Sequence, residues 1–157
     1  MNKNEIQNLI KELIEKTKVV VKEINITEDK GNTTWFSVEV SDPYLFTGRG
    51  GEALSALNHI VRRIVESKMP ISENSLPISM LVDINGFQKK RMENIHAIAH
   101  MMAERARYFK SNIEIDPMSA FERRIVHEFL ANETDLKTES TGEGPSRRVV
   151  IKYIGTI

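Results

Sequence analysis

The chain has 157 residues, 40% of them apolar and 28% charged, with no cysteine and a formal net charge of zero. That length suits one domain or two small ones. Zero net charge excludes a polycation that coats nucleic acid indiscriminately. The lack of cysteine removes disulfides, thiolate zinc sites and thiol nucleophiles together and fits a reducing compartment. No window reaches the roughly 18 apolar residues of a membrane helix, and the charged amino terminus is unlike a signal peptide, so a cytoplasmic protein without membrane insertion is expected.

In chain order, Ile6, Leu9, Ile10, Leu13 and Ile14 recur at three- and four-residue intervals and predict an amphipathic helix over 4–16. The runs "KVVVKEINITE" and "TTWFSVEVS" are rich in β-branched and aromatic residues and flank "DKGN", which predicts an antiparallel hairpin with Trp35 in its core. "YLF" reads as one short helical turn before the glycine-rich stretch "TGRGGEA". Behind it Leu54, Leu57, Ile60, Val61 and Ile64 share a face of a longer helix. "SKMPISENSLP" is a polar loop and a candidate domain boundary. "ISMLVDING" predicts a strand ending in an Asn-Gly turn.

The longest helical pattern runs from Phe87 to Lys110, with Met92, Ile95, Ala99, Met102, Ala103 and Ala106 inward. "NIEIDP" is a short strand candidate. Ser119 and Glu122 form a capping-box pattern that starts a helix reaching about Ala131, with Phe121, Ile125 and Phe129 as its inner stripe and Val126 beside it. "LKTESTGEGPSRRVVIKYI" predicts two strands around a Gly-Glu-Gly-Pro turn. The fold class is therefore α+β.

Charge is unevenly placed. Residues 87–110 carry a balance of +4, residues 112–144 carry −5, and the final "PSRRVVIKYIGTI" carries +3. Blocks of this kind can build a basic strip on a neutral protein.

Gly48-Arg49-Gly50-Gly51-Glu52-Ala53 spells the dinucleotide fingerprint G-x-G-x-x-A. Yet a helical turn, not a strand, precedes it, and Glu73 at the required distance precedes the next strand. The same residues also form G-x-x-G between two helices. There, positions without side chains let a phosphodiester approach main-chain N–H groups at a helix amino end, and Arg49 adds charge at the tip. The competing reading is a helix-to-helix corner without ligand. Two strands upstream and a returning strand downstream favour a KH domain. Farther on, Arg123 and His127 lie one turn apart at the edge of the buried stripe, where a guanidinium and an imidazole can grip one phosphate.

Arg123-x3-His127 within "DPMSAFERRIVHEFL", preceded by "LVDINGFQKKRMENI" and followed by "TESTGEGPSRRVVIKY", resembles the R-3-H domain of the bacterial Jag family, which joins a KH domain to an R-3-H domain. The resemblance covers about residues 18–153. It implies a prokaryotic-type KH-like domain with a three-stranded sheet and helices over 1–84, and an R-3-H domain of a small three-stranded sheet and two helices over 85–157. It further implies single-stranded RNA, or single-stranded DNA, as ligand, with Gly48, Arg49, Gly50 and Gly51 on the KH clamp and Arg123 and His127 on the phosphate-contacting surface. Lys89, Lys90, Arg91, Arg147 and Arg148 are expected as supporting charges from their own placement. The family usually has a further amino-terminal domain, and the resemblance is to a member lacking it.

Other classes are less well served by the residues. His127-Glu128 opens an H-E-x-x-H pattern that fails at Ala131, and His96, His100 and Glu104 share metal-ligand spacing without a fourth ligand, so no metal or cofactor and no catalysis are expected. A protein-interaction module remains the alternative, through a homodimer or KH-protein contact or a Trp35–Phe36 hot spot.

Overall fold

The computed structural model describes residues 1–68 and 79–155, so most of the polar loop expected before Pro77, Glu73 included, lies outside the described residues. The chain divides into two compact units, Met1–Gln88 and Lys89–Ile157.

The first unit runs α1 (Lys3–Glu15), β1 (Val21–Glu28), β2 (Thr34–Val40), α2 (Tyr44–Thr47), a 3-10 turn (Arg49–Gly51), α3 (Glu52–Lys68) and β3 (Met80–Ile84). Asn2 caps α1 through a reciprocal capping box with Glu5. The three strands form one sheet in the order β1-β2-β3; β1 and β2 are antiparallel and β2 and β3 parallel. The parallel pair requires a crossover, which α2, the glycine turn and α3 begin. Ile10 and Ile14 of α1, Phe36 and Val38 of β2, Leu54, Val61 and Val65 of α3, and Val82 and Ile84 of β3 are sealed in one core.

The hairpin departs from expectation at its aromatic pair. Phe36 is fully buried while Trp35 is only half-buried, because successive strand residues point to opposite faces. The Trp35 indole N–H donates to Asp29 Oδ2 at 3.0 Å, and Asp29 Oδ1 accepts from the Gly31 and Thr33 amides, organising the turn. Phe36 is thereby removed from any exposed hot spot.

The Asp-Ile-Asn-Gly stretch is structural. Asn85 and Gly86 have φ of 48° and 72°, Asn85 Oδ1 accepts the Val40 N–H at 2.9 Å, and the buried Asp83 accepts the Gln88 N–H at 2.8 Å. These bonds fix β3 to β2 and satisfy an orphan amide in the first turn of the next helix, α4 (Phe87–Phe109).

The second unit takes up α4 from Lys89 and continues with β4 (Ile113–Glu114), α5 (Ala120–Leu130), β5 (Leu136–Thr141), a 3-10 turn (Gly144–Ser146) and β6 (Arg148–Tyr153). Its sheet is antiparallel in the order β4-β6-β5. The core is Ile95, Ala99, Ala103 and Ala106 of α4, Ile125, Val126 and Leu130 of α5, and Val149 and Ile151 of β6, with Met92 and Met102 against it. The α4 stripe is the one the sequence predicts. On α5 the buried stripe is Ile125, Val126 and Leu130, whereas Phe121 and Phe129 are each 40% exposed. Phe129 instead stacks on His96 of α4, ring centroids 4.7 Å apart.

Candidate nucleic-acid interface

The capping box at Ser119 sets the start of α5, with Ser119 Oγ accepting the Glu122 N–H and the Glu122 carboxylate accepting the Ser119 N–H. Glu122 also takes the Arg91 guanidinium, Nε and Nη2 at 2.9 and 2.8 Å from the same carboxylate oxygen. Burial raises the Glu122 pKa, but the Ser119 N–H and the Arg91 charge outweigh it and the carboxylate stays below its ordinary range. Arg91 thus ties α4 to the head of α5 and is not an uncommitted supporting charge.

One helical turn on from that cap, Arg123 is half-buried and its Nη1 donates to the Met118 carbonyl at 2.8 Å. The Met118 N–H in turn donates to the Arg147 carbonyl. The peptide groups flanking one residue therefore bring the entrance of β6 beside the head of α5. Arg147 is exposed, and neither it nor Arg123 has a carboxylate partner among the described residues. Arg148, expected as its equal, points elsewhere and pairs with Glu114 at 3.2 Å.

His127 follows Arg123 by one turn and is also half-buried, facing β5. Its Nδ1 lies 2.6 Å from Thr138 Oγ1 and its Nε2 lies 2.9 Å from Ser140 Oγ. These two hydroxyls sit two residues apart on β5 and so share a face. Burial, and then the Arg123 charge, hold the imidazole pKa below its ordinary value. At neutral pH the ring is uncharged, in contrast to the cation that would strengthen phosphate binding.

A stability consequence follows from that shift. A histidine whose folded pKa is depressed binds its proton better in the unfolded chain, so its contribution is present above an unfolded value of about 6.5 and lost as pH falls through the folded value. The lowered carboxylates Glu122 and Asp135 lose theirs only at more acid pH. Urea midpoints measured from pH 7.5 downward should fall below about 6.5, and His127→Gln should flatten that part of the curve.

In the first unit the glycine stretch is a tight turn. Gly48 is extended, Arg49 and Gly50 have φ of 49° and 71°, and the Gly51 N–H donates to the Gly48 carbonyl at 3.0 Å, the geometry of a type I′ turn. Gly51 is buried at φ 80°, and a Cβ there would meet Phe87 Cε1 at 2.5 Å. On Gly48 a Cβ would meet the Tyr44 carbonyl at 2.9 Å, and the Gly48 N–H already donates to that oxygen. Two of the four motif residues are therefore glycine for internal reasons. The outward part is Arg49 and Gly50, both exposed, followed by the acidic Glu52 in the first turn of α3.

Lys89 and Lys90 are exposed on α4. Farther along the same basic block, Arg107 is enclosed by Asp135, Glu104 and Glu133, with Asp135 held at 2.7 and 2.9 Å. Among the described residues no group of three histidine or acidic side chains is placed to hold a metal ion. No helix among the described residues is long and apolar enough to cross a membrane.

Thr138 and Ser140 are what sequence reasoning missed. The available signal was two hydroxyl residues at strand alternation in "LKTEST", on the element after the Arg-x3-His helix.

Residues 93–153 match the R-3-H domain family, the span that contains Arg123, His127, Thr138, Ser140 and Arg147. The chain is 29% identical over 129 residues, 82% of its length, to a Clostridium symbiosum protein named RNA-binding protein KhpB, covering 54% of that protein. Proteins of the same name from Bacillus subtilis (strain 168) and Lactiplantibacillus plantarum are 26% and 25% identical over 83% and 84% of the chain, covering 61% and 41% of their own lengths. The chain thus spans about half the length of the curated relatives it matches. Its carboxy-terminal part is an R-3-H domain, and the chain is a homologue of proteins named for RNA binding.

Proposed function

We propose that this protein binds single-stranded RNA through the sugar-phosphate backbone, as a cytoplasmic binding protein without catalysis. The observation that carries the reading is that Arg123, bonded through its guanidinium to the Met118 carbonyl, and Arg147, whose main chain bonds the Met118 N–H and whose side chain is exposed, have no carboxylate partners among the described residues on a protein of zero net charge. Cations left uncompensated at one place on an otherwise balanced surface favour a polyanion. The RNA-binding name carried by the relatives supports the same ligand class.

In this reading residues 1–84, within the first unit, form a KH-like domain whose Arg49–Gly50 tip adds a second and weaker backbone contact. The order of its elements, with G-x-x-G between two helices and a parallel return strand, supports that assignment. Glu52 at the same helix end opposes a phosphate and is the reason the tip contributes less. The R-3-H domain, taken from residue 85 onward, supplies the stronger site.

Binding of a short labelled oligonucleotide at a series of salt concentrations tests the reading. Log K should fall with log salt at about 0.7 per phosphate contact; a salt-independent affinity would instead point to an apolar docking module. For the loop, Arg49→Asp with Gly50→Asp should abolish crosslinking of RNA to the first unit, since both residues are exposed; the φ of 71° at Gly50 adds a cost of about 1–2 kcal/mol, so the urea midpoint of the variant is measured beside it. Undiminished crosslinking there would remove the loop from the interface.

A further inference from the structure

The His127 ring is bonded at both nitrogens, so it cannot reach a ligand without giving up one of those bonds. A neutral imidazole has one N–H donor and one bare nitrogen acceptor. Whichever tautomer is present, one of the two hydroxyls must give its hydrogen to the bare nitrogen, and the other must accept from the ring N–H. The hydroxyl that accepts keeps its own O–H for a further acceptor.

The two hydroxyls are only half-buried, and they flank the ring that stands one turn from Arg123. Across the sheet, Thr138 is opposite Ile151 and Ser140 opposite Val149, apolar residues that offer no acceptor of their own on that face. The O–H that His127 leaves over therefore has no side-chain acceptor among the bonds of the described residues.

We propose that Thr138 and Ser140 are ligand-contacting residues: the imidazole polarises the pair so that one hydroxyl donates outward to a non-bridging oxygen of the same phosphodiester that Arg123 holds. This inference rests on the backbone-binding reading given above and deepens it. His127 is then a positioning residue, acting through the hydroxyls and not as the cation that touches phosphate.

A neutral donor and a cation differ in one measurable way. Losing a guanidinium contact removes counterion release and lowers the salt slope, whereas losing a hydroxyl contact weakens binding without touching that slope. With a labelled oligouridylate of roughly twelve nucleotides as probe, Thr138→Val with Ser140→Ala should weaken binding about tenfold at every salt concentration, leaving the slope at the parental value. The reverse hydroxyl exchange, Thr138→Ser with Ser140→Thr, should restore most of the affinity. It also guards against misreading a folding defect as lost contact.

Arg123→Ala, run beside them, should drop the slope by about 0.7. If Arg123→Ala has that effect and the hydroxyl-free variant binds like the parent, the hydroxyl proposal falls and the backbone-binding reading stands. If Arg123→Ala leaves both affinity and slope unchanged, the underlying reading falls. A hydroxyl-free variant whose slope drops together with its affinity also overturns the proposal, because the hydroxyls would then act only by holding the arginine.

Discussion

Replacing Arg123 and Arg147 together by alanine should weaken RNA binding about a hundredfold and reduce the salt slope by about 1.4, twice the single-strand value per phosphate. The Arg123 side chain and the Arg147 main chain meet at Met118, whose carbonyl accepts from the Arg123 guanidinium and whose N–H donates to the Arg147 carbonyl. Folding should suffer little. Arg123 loses one hydrogen bond at a half-buried site, worth about 1 kcal/mol, and Arg147 is exposed. The informative control removes the same number of charges from other positions. Arg91 and Arg148 are committed to Glu122 and Glu114, so their alanine variants should leave the slope near the parental value. The Arg91 variant should instead lower the urea midpoint, because it strands a partly buried Glu122 carboxylate without its cation. If all four arginines proved equivalent in slope, binding would track overall charge and no site would be defined.

That contrast also marks where the sequence stopped being informative. Capping at Ser119 and the inward stripe of α4 were legible because both are local, set by residues three or four apart. Arg91 with Glu122, and Arg148 with Glu114, are 31 and 34 residues apart, so a count of charge by blocks registers four ions where the fold makes two pairs. The hydroxyls around His127 were hidden for the same reason. Their role depends on which face of β5 turns toward α5, and strand alternation alone leaves two choices. Trp35 and Phe36 present that ambiguity in its simplest form, two adjacent aromatics of which only one can be inside. On α5 the three phenylalanine and isoleucine positions at four-residue spacing gave a plausible stripe. The fold rotated the helix so that Val126 and Leu130 joined Ile125 in the core, and Phe129 found His96 instead.

The glycine turn makes the second large prediction, and it concerns stability first. Gly51→Ala should cost about 2–5 kcal/mol, from two additive causes: a non-glycine residue at a left-handed φ, about 1–2 kcal/mol, and a methyl driven into the Phe87 ring, about 1–3 kcal/mol. Gly50→Ala isolates the first cause, since its φ of 71° is similar to the 80° of Gly51 but a Cβ there meets nothing within 4 Å. The difference between the two urea-derived stabilities is then the Phe87 contact alone. Combining Gly51→Ala with Phe87→Leu should recover part of that difference, because a smaller side chain makes room for the methyl, and Gly50→Ala with Phe87→Leu should show no such recovery. Equal costs at the two glycines would mean that the loop does not rest on Phe87. Unequal costs would explain why only the Arg49–Gly50 half of the motif is open to a ligand: the other half is held against the first residue of α4, where Asp83 and Asn85 fix the strand-to-helix turn.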